Sequence, residues 1–348
     1  MTQKNRTIKL LLATSFLNFA VLGTANAQSV SEAPSTVNAV YVQASADRML
    51  KPGEKIGSLF NENMKNDYIL QRLTDRTYWV QRNFYGTIFY VGNEGVLLFD
   101  PLDGAGPQIK AAIASVTKLP VTAIVYSHNH NDHIGNAETF ADNNPNLRII
   151  ASQETAAEQS LTNSTHPKAT DVIAWPNGSF MFEGLKVEMV GFENAAHAKD
   201  HSIWLLSGEK IAHLPDLVNP DQPPFWGFAG SETFLNYEAN IELLAKQDWD
   251  YLSGGHGNVG SRADIDFYRE FLADLKKEVG KAMGEVTWGT GVDASKINAH
   301  TAFLPAWLGA ISKKATDALR PKYGEYYGFE AATPKNAEMV AFAFFDYR

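Results

Sequence analysis

The sequence predicts an α/β fold, on three observations. Short β-rich runs fill the stretch from Tyr68 to Phe99. After Asp100 the apolar spacing changes to three and four, and the two patterns then alternate as strand, helix, strand. A length of 348 residues suits one large α/β domain with appendages, or two small domains.

The first element is not part of that fold. Lys4, Arg6 and Lys9 precede an apolar run from Leu10 to about Leu22, followed by Ala25-Asn26-Ala27. This pattern predicts a secretory signal peptide over residues 1–27, cut before Gln28, and hence a periplasmic or secreted protein. The apolar run is shorter than the ~20 residues that span a bilayer, and Asn18 interrupts it. No later segment has the uninterrupted apolar length of a membrane span, so no stable anchor is expected after cleavage. Residues 28–66 are polar and mixed, with Ser31-Glu32-Ala33-Pro34-Ser35 and Lys51-Pro52-Gly53-Glu54-Lys55, and read as an arm of little regular structure that wraps the core.

Strands follow at Tyr68–Leu73, Tyr78–Gln81, Thr87–Val91 and Gly95–Phe99, the last two joined by the turn Gly92-Asn93-Glu94-Gly95. Ile109, Ala112, Ile113 and Val116 have helical spacing, and Val121–Ser127 is a buried strand running into His128. A second round gives a helix near Ala137–Ala141, a strand at Arg148–Ala151 and a helix from Gln153. Strands are then expected at Ser179–Phe182, Leu185–Phe192, Ser202–Leu206 and Lys210–His213. After a Pro/Gly loop, Ser231 can cap a helix running to about Lys246. Trp249–Leu252 reads as a strand and Ala263–Met283 as a helix, whose stripe of Tyr268, Phe271, Leu272, Leu275, Val279 and Ala282 is core. From Trp288 the chain is aromatic-rich and ends in the strand-like Met339–Phe345.

Composition excludes several kinds of function. The chain has no cysteine, which removes disulfide staples, thiolate metal ligands and a cysteine nucleophile together. Any metal must be held by nitrogen and oxygen. A formal charge of −9, without a dense Lys/Arg cluster, argues against nucleic acid as a partner and leaves a small-molecule substrate; oligomeric state is not encoded in these features. No Gly-x-Ser-x-Gly elbow points to a serine hydrolase.

The informative run is Ser127-His128-Asn129-His130-Asn131-Asp132-His133, three imidazoles and a carboxylate at the end of an expected strand. Alternate side chains of an extended segment project to one side, so His128 and His130 can grip one cation. Asp132 and His133 fall where the chain turns and can face a second.

The run resembles the His-x-His-x-Asp-His signature of the metallo-β-lactamase superfamily, and later segments follow that family's order. His197 in Ala196-His197-Ala198-Lys199-Asp200 precedes a strand, Asp216 follows the next one, and His256 lies in Gly254-Gly255-His256-Gly257. The resemblance covers roughly Tyr68 to Met283. It implies a four-layer αββα sandwich, two mixed sheets flanked by helices, with a catalytic domain at 67–285 and a C-terminal extension at 286–348 packed on it. It also implies two divalent metal ions, zinc first among candidates: His128, His130 and His197 on one, Asp132, His133 and His256 on the other, and Asp216 between them. A hydroxide held between two such cations is a nucleophile at neutral pH, and Asp132 can orient it or relay a proton. Asp100 is read as bracing the ligand loop, and His201 as either a hydrogen-bonding support or a plain structural residue. His213 is read as structural, and His166 and His300 as surface residues.

Departures from named subfamilies narrow the substrate. The first two subclasses of zinc β-lactamases have a cysteine where Asp216 stands, and the third typically lacks a bridging carboxylate. Lactonases commonly carry a tyrosine soon after that aspartate; here Leu217, Val218 and Asn219 follow. The glutamate pair and long tail of the sulfate-ester hydrolases are not identifiable, and export counts against glyoxalase II, whose thioester is intracellular. Phe225, Trp226 and Phe228 can line an apolar pocket beside the metals or pack their loop onto the core. The expectation is an exported hydrolase of an ester, lactone or amide with an apolar portion. A sulfate-ester or β-lactam hydrolase, an iron-dependent oxidoreductase on the same fold, and a noncatalytic binding protein are the alternatives.

Overall fold

The computed structural model describes residues 32–142, 144–293, 295–296 and 300–347. The expected leader at 1–27 lies outside them, and no described helix is long and apolar enough to cross a membrane.

One sheet has seven strands in chain order: Ile69–Arg72, Thr77–Arg82, Tyr85–Val91, Val96–Phe99, Val121–Val125, Arg148–Ser152 and Asp171–Ile173. Its first four strands are an antiparallel meander and its last three join in parallel through helical crossovers. The second sheet has six: Asn177–Phe182, Leu185–Gly191, Ser202–Leu206, Ile211–His213, Tyr251–Ser253 and Val259–Gly260.

Side-chain alternation explains how the layers stack. On Val96–Phe99, Leu97 and Phe99 face the other sheet, meeting the layer that contains Val187, Trp204 and Leu206, while Val96 and Leu98 face the helix Gly106–Val116. Both faces are covered, so the strand is apolar at every position. The outer face of the second sheet, with Ile203, Leu205 and Ala212, is buried under Tyr237–Ala245, Arg262–Glu285, Phe303–Tyr323 and Phe329–Asp346. The result is an αββα sandwich.

Four readings need correction. Met339–Phe345 is not a strand but the end of the helix Phe329–Asp346, which buries Phe329, Ala332, Asn336, Ala337, Val340 and Ala341 at three- and four-residue steps. A short apolar run suits either period, and the alanines around it favour the helix. Ser231 does not open a helix: its hydroxyl donates back to the Phe228 carbonyl at 2.6 Å, and the helix begins at Tyr237. The strand Asp171–Ile173 was not expected. The arm is more regular than its composition suggests, with Tyr41–Val42 paired to Lys55–Ile56 and a helix at Leu59–Lys65.

That arm grips the loops that lead to the site. Lys55 is 0% exposed and donates to Asp264 at 2.6 Å and to the Val259 carbonyl at 2.8 Å. Asn258 exchanges two hydrogen bonds with the Ile56 backbone, and Gln81 donates to the Gly257 carbonyl at 2.8 Å. His256 therefore sits on a loop held on several sides.

Candidate metal centre

Most of the candidate ligand side chains stand just outside a strand end. His128 and His130 follow Val121–Val125, His197 precedes Ser202–Leu206, Asp216 follows Ile211–His213, and His256 follows Tyr251–Ser253. Asp132 and His133 lie in the single helical turn Asn131–Ile134.

These segments converge. His128 Nδ1 is engaged by the Ser127 hydroxyl at 2.9 Å, which turns Nε2 to the site. His197 Nε2 lies 3.2 Å from that Nε2 and 3.0 Å from His130 Nδ1, and Asp216 Oδ2 is 3.4 Å from His197 Nε2. On the other side, His133 Nε2 is 2.9 Å from Asp216 Oδ2, and His256 Nε2 is 3.2 Å from Asp216 Oδ1. Asp132 Oδ2 lies 3.4 Å from His133 Nε2 and 3.9 Å from His256 Nε2. Two ligand sets result, His128/His130/His197/Asp216 and Asp132/His133/Asp216/His256, each with its donor atoms within 4.8 Å of one another and with Asp216 common to both.

The donor set fits two divalent cations. Imidazole nitrogens meeting at about 3 Å cannot all satisfy one another, because each facing pair shares one proton at most. His133 Nε2 and Asp216 Oδ1 are buried without a hydrogen-bond partner, a costly state that a cation relieves. Protonation leans the same way for most of the set. Burial drives His128 and His197 well below the usual imidazole range, with neighbouring histidines adding to it at His128. Burial alone would raise the Asp216 carboxyl, but the neighbouring imidazoles, the charge of His133 foremost, outweigh it and hold it well below the carboxylate range, while the Asp216 and Asp100 carboxylates raise His133 well above the imidazole range against its burial. Neutral imidazole and ionised carboxylate are the ligating forms. Nitrogen and oxygen donors in this number suit zinc and its neighbours in the first transition row.

Supporting residues fix the ligands. Asp100 accepts from the Ser127 amide at 2.8 Å and from His213 Nε2 at 2.9 Å, and its Oδ2 lies 3.5 Å from His133 Nδ1. Burial would raise this carboxyl, yet the imidazoles of His133 and His213 keep it ionised far below the usual range. His201 Nε2 donates to the Pro215 carbonyl at 2.6 Å, steadying the residue before Asp216. Replacing Asp100 by alanine should weaken the second metal 10–100-fold, roughly the cost of losing an outer partner of a ligand, as a calorimetric titration would show.

Sequence reasoning missed some members. His213, read as structural, joins Asp100 to the Ser253 hydroxyl and so belongs to the ligand support. Asp200 was not singled out; it is buried and accepts from the Asn129 amide at 2.7 Å, pinning the peptide between the two first ligands. Its position three residues after His197 was the available signal. His166 is not a plain surface residue, since it spans Asn131 at 2.8 Å and Glu138 at 3.0 Å. The His300 side chain lies outside the described residues.

The three loop aromatics separate. Phe225 stands at the site, 42% exposed and stacked on His256 with ring planes 6° apart. Trp226 is 54% exposed and makes no ring contact among the described residues. Phe228 does not line a pocket: it is 0% exposed and packs with Phe234 and Tyr237 in the core, so that assignment is corrected.

Comparison with known proteins finds relatives of this chain. A family model described as the metallo-beta-lactamase superfamily matches residues 82–256. Among curated proteins, the chain is similar to the alpha subunit of 2,4-dinitroanisole O-demethylase from Nocardioides sp., 24% identical over 206 residues, 58% of this chain and 59% of that protein. It is also similar to hydroxyacylglutathione hydrolase from Glaesserella parasuis, 28% identical over 174 residues, 49% of this chain and 66% of that one. In both cases the match spans less than two thirds of the relative's own length. A solved metallo-beta-lactamase from Pontibacter korlensis resembles 59% of the chain and 99% of its own, at 18% identity and a TM-score of 0.50. The metallo-beta-lactamase IND-7 resembles 60% of the chain and 99% of its own, at 18% identity and 0.51. These two likenesses concern the fold.

Proposed function

Because the chain belongs to the metallo-beta-lactamase superfamily, we propose that it is an exported two-zinc hydrolase of an ester, lactone or amide with an apolar portion next to the bond that breaks. The observation that carries this reading is the pair of ligand sets sharing Asp216. A pair of bound cations supplies Lewis acidity and lowers the pKa of water towards neutrality. Asp132, the ligand carboxylate with the most exposed side chain at 40%, orients the attacking water and takes its proton. Phe225, stacked on His256 and partly exposed, offers a flat apolar face to the substrate. The leader-like residues 1–27 support export.

The test is elemental analysis of the purified protein together with a panel of ester, lactone, amide, β-lactam, sulfate-ester and hydroxyacylglutathione substrates. Two zinc per chain and turnover of carboxylic esters, lactones or amides are expected; turnover of sulfate esters alone would remove the reading, and iron with oxygen uptake would replace it by an oxidative one. Phe225→Ala should raise KM for aryl esters about 10-fold more than for acetyl esters of small alcohols, the scale of one lost ring contact plus its buried area.

A second reading is favoured by the aromatic opening. One relative is named for O-demethylation of 2,4-dinitroanisole, an aryl ether, and Tyr85 and Phe225 both lie against His256. Adding 2,4-dinitroanisole to the panel decides between ether and acyl substrates.

A further inference from the structure

We propose that the hydroxyl of Tyr85 donates a hydrogen bond to the substrate's leaving oxygen, an assignment that rests on the hydrolase reading above. Tyr85 opens the strand Tyr85–Val91 and is bridged to His256 through the backbone, with the Gly86 amide donating to the Gly255 carbonyl at 2.7 Å. Its ring meets the His256 ring edge-on, 4.5 Å between centroids. The strand–loop contact therefore fixes the phenol relative to the second ligand set.

The phenols of Tyr126, Tyr237, Tyr251 and Tyr268 each donate to a backbone carbonyl. Tyr85 is half-buried, and its hydroxyl makes no hydrogen bond to another described residue. Burial and the carboxylates of Asp132, Asp216 and Asp103 hold this phenol above its usual range, against the opposing charge of His133. Tyr85 belongs to neither ligand set. A donor held beside a catalytic centre with no acceptor of its own is positioned for a bound molecule.

The chemistry balances without an added reactant. A bond forms from the water oxygen to the electrophilic carbon, and the bond from that carbon to the leaving oxygen breaks with its electron pair going to the oxygen. The proton removed from water reaches the leaving oxygen by way of Asp132. Tyr85 keeps its own proton and stabilises the developing charge through the hydrogen bond.

Leaving-group dependence tests the role. With Tyr85→Phe, kcat on ethyl benzoate should fall about 10²-fold, the scale of one lost transition-state donor. The fall on p-nitrophenyl benzoate, whose leaving oxygen needs little help, should stay below about 10-fold by the same logic. Elemental analysis should still find two metals, and calorimetry should find phenylphosphonate bound about 10-fold more weakly. Equal losses on the two esters, no loss on either, or loss of the second metal overturns the proposal; the last would mean that the ring only packs against His256. A wild-type protein that turns over no ester, lactone or amide of the panel, but whose phenylphosphonate binding still depends on Tyr85, defeats the hydrolase reading and leaves the hydrogen bond in place.

Discussion

Asp216→Asn should leave the protein with at most one metal per chain and at least 10³-fold less activity, a loss beyond the roughly 10–100-fold expected of a supporting residue. The reason is geometric. Among the described residues Asp216 is the only side chain in both candidate ligand sets, with Oδ2 turned to His128, His133 and His197 and Oδ1 to His256. Asparagine keeps the shape and tolerates the left-handed backbone at this position, φ 66°. It removes the negative charge that both cations, when bound, would share. His128→Ala should instead strip the first set and leave Asp132, His133, Asp216 and His256 to hold a single ion. Elemental analysis and a two-phase calorimetric titration separate these outcomes. An Asp216→Asn protein with two metals and more than a tenth of the wild-type kcat would show that the carboxylate does not bridge.

How much of this was legible in the sequence depended on whether local spacing carried the information. His128, His130, Asp132 and His133 lie within six residues, so strand geometry and the following turn decide their directions almost unaided. His197, Asp216 and His256 were found through the order of the family they resemble, because nothing local distinguishes His197 from His166. The supports were harder to see. His213 and Asp100 are 113 residues apart and meet only because Ile211–His213 and Val96–Phe99 lie in facing sheets. On the aromatic loop, composition gave three rings but not their directions. A left-handed backbone at Phe228, φ 50°, turns that ring into the core while Phe225 stays at the site.

Lys55 was illegible for a different reason: in Lys51-Pro52-Gly53-Glu54-Lys55 it reads as one more solvated charge on a polar arm. The fold places it in the interior, against Asp264. That carboxylate also accepts from the Ser261 amide at 2.7 Å, the Ser261 hydroxyl at 2.9 Å and the Asp221 amide at 2.9 Å, so it starts the helix Arg262–Glu285 and ties down the loop after Asp216. Lys55→Met keeps the aliphatic volume but leaves a buried carboxylate facing neutral donors alone. Breaking a buried pair from one side costs about 3–5 kcal/mol, a large part of the roughly 5–15 kcal/mol that holds a domain folded. At this size the melting temperature should drop by about 10 °C. Removing the stranded charge as well, in Lys55→Met/Asp264→Asn, should recover part of the loss, because the penalty lies in the uncompensated charge rather than in the missing contact. Thermal and urea denaturation of both variants measure this. A single variant within 1 kcal/mol of the wild type, or a double variant less stable than the single one, would mean that the arm's grip on the His256 loop comes instead from the two hydrogen bonds between the Asn258 side chain and the Ile56 backbone.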